Sequence, residues 1–362
     1  MRAIHRNETE ATSHSIHSTG YMSNKPRNLG ICLARIIFSF LVVCCHFFST
    51  GRGSWWIIPL RGVAVPVFFV LAFYLDEVAS TQHGHTPRLG RRLQRLLLPF
   101  WFWGLALAPV YLCEVMRNRP LKTATWKLLE QTSLQLTLGH AYLPHLWFLF
   151  ALALCTTGWL LVRRSRVASH RSILFLSIIF FGCLVLQYSG LNARLFGQFG
   201  RPFRFPLGRL AECIPFAVSG IVLERTGIVR RLRNTKFLVF HLLWIGILGL
   251  PLRFVNAIPI PDGFDYQGLS CIRSGTFLVL FFVLLPLDWF SNQVSKCIIA
   301  ISRFSLGIYC IHLPVGAALL NILSAFDLQI DSFTLCLAIY TVSLLVCLLM
   351  VSLVPKTKPL VQ

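Results

Sequence analysis

Stretches of about twenty consecutive apolar residues recur along the whole chain, and that recurrence limits its fold more than any other feature. Ten such runs fall near residues 29–48, 55–75, 96–113, 145–162, 172–190, 209–224, 237–255, 271–290, 304–323 and 332–354. An α-helix of about twenty residues spans the ~30 Å hydrocarbon core of a bilayer. Inside lipid each backbone N–H and C=O must be satisfied within the structure, which leaves helices and closed barrels. The expected fold is therefore all-α, a polytopic bundle of about ten transmembrane helices. Only 13% of the 362 residues are charged, against about 25% in soluble domains, and the mean hydropathy is +0.67. Pro66, Pro99, Pro109, Pro215, Pro251, Pro286 and Pro314 lie within runs, where neighbouring helices can satisfy the freed carbonyls.

A net charge of +21 raises nucleic-acid binding, but the distribution argues against it. With the N-terminus inside, 21 of the 34 Lys and Arg fall in inner segments and 9 in outer loops, and Arg35, Arg61, Arg253 and Arg273 remain within runs. That excess is the positive-inside pattern and predicts both termini in the cytoplasm. Residues 1–28, rich in Ser, Thr and His, read as a disordered cytoplasmic tail. Met22 lies just before the expected start of the membrane domain, which makes it an alternative start codon and residues 1–21 a product of the upstream one. The first run is too long for a cleavable signal peptide and lacks a small-residue cleavage site. Residues 29–354 form the membrane domain and 355–362 a short cytoplasmic tail. Most of the 12 Cys lie in apolar runs without CxxC spacing and read as small hydrophobes.

Two costly side chains occupy the first run. Arg35 and His46 are eleven positions apart, about three helical turns plus 20°, so they share a face and differ in depth by roughly 16 Å. A charge within a span costs at least ~2.5–3.5 kcal/mol on insertion scales. An arginine low in the membrane and an imidazole above it suggest an embedded active site, with His46 as general base. The bland alternative is an interfacial histidine bonded to a nearby carbonyl.

Other candidates follow along the chain. Arg91, Arg92 and Arg95, in RRLQRLLLPFWFW, form a basic mouth on the third run, suited to an anionic cytosolic partner; basic flanks are also ordinary at span ends. His145 and Trp147 open the fourth run in HLWFLFAL, where an aromatic belt is the plain explanation. Glu212 is at membrane depth and is expected to pair with Arg209 or another arginine. Arg194, Arg201, Arg204 and Arg209 crowd an outer loop against the charge rule, through either an anionic partner or lipid phosphates. Tyr309 and His312, in SRFSLGIYCIHLPV, predict an inward-facing stripe on the ninth run. His83 and His85 lack a third ligand-type partner, so a solvated loop is expected and no metal site.

These segments in this order resemble the acyltransferase 3 family of integral-membrane O-acyltransferases. The Arg35-to-His46 spacing, VAVPVFFVLAFYL (Val63 to Leu75), RRLQRLLLP, HLWFLFAL, IPFAVSGIVLER and SRFSLGIYCIHLPV carry the resemblance, from about Leu29 to Val354. Within the family the chain is most similar to the compact branch that O-acetylates enterobacterial common antigen. The resemblance implies a multi-pass enzyme of the bacterial inner membrane. Its donor would be cytosolic acetyl-CoA, a co-substrate, with no permanently bound cofactor; its acceptor would be a cell-surface or lipid-linked glycan. His46 would be catalytic and Arg35 its essential partner, in donor binding. On the reading of the residues themselves, the nucleotide end of the donor is expected at the mouth formed by Arg91, Arg92 and Arg95, with Arg35 further in, and substrate or structural support is expected from His145, Trp147, Glu212, Arg209, Tyr309 and His312. Two departures stand out: Ala72-Phe73 replaces the family's usual Ser-Gly, and Arg61 is offset by about one residue from a common basic position. The competing class is a transporter of a lipid-linked or acylated glycan, which also suits many spans with scattered charges. Against it, the two halves of the chain show no matching broken helices.

Overall fold

The computed structural model describes residues 28–48, 62–83, 89–109, 111, 116, 121–138, 144–164, 178–182, 201–249, 266–287 and 290–362. The N-terminal tail, Arg61, His85, Arg194 and most of the 172–190 run lie outside them, as do the side chains of His83, Arg201, Arg204 and Arg209. Every regular element among the described residues is helical. In chain order these are α1 (Leu29–Phe47), α2 (Ala64–His83), α3 (Leu89–Ala106), α4 (Leu121–Leu138), a 3-10 turn (Pro144–Leu146) leading into α5 (Trp147–Arg164), α6 (Arg201–Arg225), α7 (Ile228–Arg233) and α8 (Leu238–Gly249). There follow α9 (Tyr266–Leu284), α10 (Asn292–Ser302), α11 (Ser305–Ala325), α12 (Ser332–Leu353), a 3-10 turn (Pro355–Thr357) and α13 (Lys358–Val361).

Four of these, α1, α2, α11 and α12, are long and apolar enough to cross a membrane, and α5, α8 and α9 carry shorter apolar segments. The chain is a membrane protein. Leu345, Leu349 and Leu353 on α12, with Val239, Phe240 and Leu243 on α8, leave large apolar side chains on the outside. In lipid that arrangement carries no hydrophobic penalty.

α1 is the central helix, packed against α2, α9, α10, α11 and α12. Asn28 starts it: its Oδ1 accepts from the Ile31 N–H at 3.1 Å, and its Nδ2 donates to the Val283 carbonyl at 2.9 Å. One side chain thus satisfies an orphan donor at the start of α1 and a carbonyl at the end of α9. Asp331 caps α12 by accepting from Phe333 and Thr334, and the bonds from Thr334 hold its carboxyl below the usual range. The most extensive helix packing is between α2 and α6. Gly220 permits it, because a Cβ there would meet the Val70 carbonyl, with the Tyr74 nitrogen at 2.9 Å and the Phe73 Cβ at 3.1 Å.

Several boundaries differ from the apolar runs for physical reasons. The second run was expected near 55–75, yet α2 continues through Asp76 and Glu77 to His83, since those carboxylates find arginine partners and the helix has no cause to stop. α3 begins at Leu89, seven residues ahead of the 96–113 run; Arg91, Arg92 and Arg95 are good helix formers that hydropathy reads as loop. α4 had no counterpart among the runs. Residues 355–362, expected as a tail, fold back instead: Leu360 and Val361 are buried and the Trp103 Nε1–H donates to the Leu360 carbonyl at 3.4 Å.

Candidate active site

A cleft of about 550 Å³ opens between α1, α2, α3, α5 and α11, a volume in the ordinary range for small-molecule sites. At one end stand Arg91, Arg92 and Arg95, contributed by the first two turns of α3. Arg91 and Arg95 are one turn apart, which turns both toward the same side, and both are exposed. Arg92 is ion-paired with Asp76 and reaches the Ala72 carbonyl. Deeper in lie Arg35, exposed to the cleft, and Tyr309, between apolar walls that include Phe68, Leu71, Phe148 and Leu149. Four arginines thus line this partly apolar pocket, one of them paired with Asp76, and guanidinium groups are the side chains that can hold phosphate oxygens bidentately.

Tyr309, part of this lining, also belongs to a cluster of rings. Its ring centroid is 5.7 Å from that of His145 and 6.1 Å from that of His312, and its hydroxyl donates to the His145 carbonyl. His46, in the last turn of α1, has its centroid 5.1 Å from His312 and 6.3 Å from His145; His145 and His312 are 5.1 Å apart. The three histidines come from three elements: α1, the 3-10 turn before α5, and α11. His145 and His312 are buried, whereas His46 is exposed at the far end of the site from the arginines. Among the described residues no group of three His, Cys, Asp or Glu side chains is disposed to hold a metal ion.

Arg35 lines the cleft and His46 does not; His46 lies in the histidine cluster that packs against the cleft residue Tyr309. His145 sits inside the bundle, against the plain expectation of a headgroup residue, while Trp147 is partly buried against the core. Tyr309 and His312 face inward from α11. Glu212 is partly buried on α6, and its expected partner Arg209 has its side chain outside the described residues.

Sequence reasoning missed a second polar cluster at the arginine end of α2. Glu77 accepts from the Arg225 Nε at 2.7 Å, with Arg163 at 3.8 Å, and Glu224 accepts from the Thr81 hydroxyl at 3.1 Å, with Arg230 at 3.7 Å. The Arg225 guanidinium lies over the Trp159 ring, 5.0 Å from its centroid. These contacts tie α2, α5 and α6 together beside the cleft. The available signal was a carboxylate at the end of an apolar run facing arginines at two other run ends. Glu77→Gln keeps an oxygen for Arg225 but removes the charge that offsets two guanidinium groups. It should cost about 2 kcal/mol, read as a lower midpoint in thermal unfolding of the detergent-solubilised protein.

The family model described as acyltransferase domain matches residues 28–352, nearly all of the membrane part. No curated protein and no solved structure matches the chain. The chain therefore belongs to the acyltransferase 3 family of membrane acyltransferases.

Proposed function

We propose that this enzyme moves an acyl group, acetyl in the first instance, from cytosolic acetyl-CoA to a hydroxyl of a cell-surface or lipid-linked glycan. The observation that carries this reading is an arginine cleft whose wall residue Tyr309 packs against the histidine cluster that contains His46. The arginine end faces the cytosol, as the positive-inside pattern of the sequence predicts, in a bacterial inner membrane. There Arg91, Arg92 and Arg95 hold the phosphates and Arg35 meets the donor further in. The uncharged pantetheine arm follows the apolar wall past Tyr309, bringing the thioester to His46.

His46 takes the proton of the acceptor hydroxyl as its oxygen attacks the thioester carbonyl. The carbon–sulfur bond breaks, and the imidazolium returns the proton to the CoA thiolate. In the other order of events the imidazole nitrogen attacks first, CoA leaves, and the acceptor hydroxyl takes the acyl group from the ring. Both orders balance, and both place His46 between donor and acceptor. The exposure of His46 at the far end suits an acceptor that approaches from outside.

The test is purified protein in lipid nanodiscs with acetyl-labelled acetyl-CoA and a lipid-linked glycan fraction. Label appearing on glycan, with equimolar CoA release that depends on His46, supports the reading. Movement of glycan across the membrane without CoA release would replace it with a transporter. Removing Arg95 should raise KM for acetyl-CoA about tenfold and leave kcat nearly unchanged, because phosphate contacts far from the reacting carbon bind ground state and transition state alike.

A further inference from the structure

His312 is wholly buried on α11, and its Nδ1 faces two carbonyls of its own helix, Tyr309 at 2.8 Å and Ile308 at 3.2 Å. A carbonyl only accepts, so this nitrogen carries the ring hydrogen and, in the neutral imidazole, Nε2 is a bare lone pair. That Nε2 is buried and has no hydrogen-bond partner among the described residues. His145 shows the converse. Its Nε2–H donates to the Cys310 carbonyl at 3.2 Å, and its buried Nδ1 is likewise unpartnered among the described residues. Buried acceptors are normally satisfied, so a pair of them in one cluster calls for a donor nearby.

His46 is the ring placed to supply it. Two imidazoles joined by a straight N–H···N bond of ordinary length have centroids about 5 Å apart. The His46–His312 separation of 5.1 Å is within that reach, so a turn of the exposed His46 ring would bring its N–H onto the lone pair that is unpartnered here, while the His46–His145 separation of 6.3 Å exceeds it.

Resting on the reading of His46 as the reacting base or nucleophile, we propose that His312 is its positioning residue. With the His46 ring so turned, the His312 Nε2 accepts its N–H and so fixes the tautomer whose other nitrogen presents its lone pair to the hydroxyl proton or the thioester. When His46 becomes cationic, the same bond strengthens. A carboxylate does this work in hydrolase triads. A neutral imidazole, oriented by carbonyls of its own helix, does it without placing a second charge at membrane depth.

Two substitutions separate positioning from simple packing. His312→Asn keeps a donor for the helix carbonyls but ends short of the far nitrogen; His312→Gln reaches that point with an acceptor oxygen. In nanodiscs, H312N should lower kcat about thirty-fold, as loss of an orienting partner does elsewhere, with KM for acetyl-CoA changed less than about twofold. H312Q should restore most of the rate. Carbethoxylation of His46 by diethyl pyrocarbonate, located by peptide mass spectrometry, should slow in H312N and recover in H312Q. If H312N does not purify as a single species, H312M, of similar volume and without a comparable acceptor, takes its place.

Wild-type rates in the acceptor-free variant, or equal loss in both variants, would overturn the proposal while His46→Ala remained inactive. An active His46→Ala enzyme would instead remove the catalytic reading beneath it.

Discussion

Replacing His46 with alanine should reduce acyl transfer by about a thousandfold, within the 10²–10⁴ that a positioned general base contributes. The protein itself should remain intact. His46 is exposed in the last turn of α1, so truncation opens no internal cavity, and surface changes of this kind usually shift stability by less than about 0.5 kcal/mol. A dead enzyme with an unchanged unfolding midpoint and wild-type affinity for acetyl-CoA would place the loss in chemistry. Added imidazole should return part of the rate, since the gap left at the end of α1 opens outward. The assay is CoA release under saturating acetyl-CoA, with binding measured separately on the same preparation.

A large structural effect is expected at Gly220. A side chain there must displace backbone, because the α2 atoms it would meet are the Val70 carbonyl and the Tyr74 nitrogen, neither of which can swing aside. Gly220→Val should cost more than about 4 kcal/mol, beyond ordinary overpacking of 1–3 kcal/mol, and so remove most of a typical net stability. Separation of α6 from α2 would also break the Arg225–Glu77 bond. The expected outcome is loss of the monodisperse peak in detergent, or a strongly lowered midpoint in any protein recovered. Gly220→Ala should be milder and still measurable.

The amino-acid sequence disclosed the helical class and placed α1 to within a residue, because an uninterrupted apolar run has one solution in lipid. It was less informative at membrane edges. The Asp76–Glu77 and Arg91–Arg95 stretches look like loops to hydropathy, yet α2 and α3 run through them: Asp76 meets Arg92 across the cleft mouth, and Glu77 meets Arg225 from α6. The site was legible in its parts. Arg35 and His46 follow from one helix and its period. The convergence of His145 and His312 on His46 depends on which helices adjoin, and positions 145 and 312 are too far apart in the chain for periodicity to relate them. HLWFLFAL carries the composition of an interfacial belt, and only the burial of His145 behind α11 separates it from one. The Glu77, Arg163 and Arg225 contacts escaped for the same reason: three run ends meet in space, and none announces its partner.

The most direct measurement is a cryo-electron microscopy structure of the protein in nanodiscs with a non-hydrolysable acetyl-CoA analogue. The account predicts nucleotide phosphates bonded to Arg91, Arg92 or Arg95, the pantetheine arm running past Arg35 and Tyr309, and the acyl carbon beside the His46 ring. An analogue bound elsewhere, or one seated in the cleft with its acyl end turned away from His46, would contradict it.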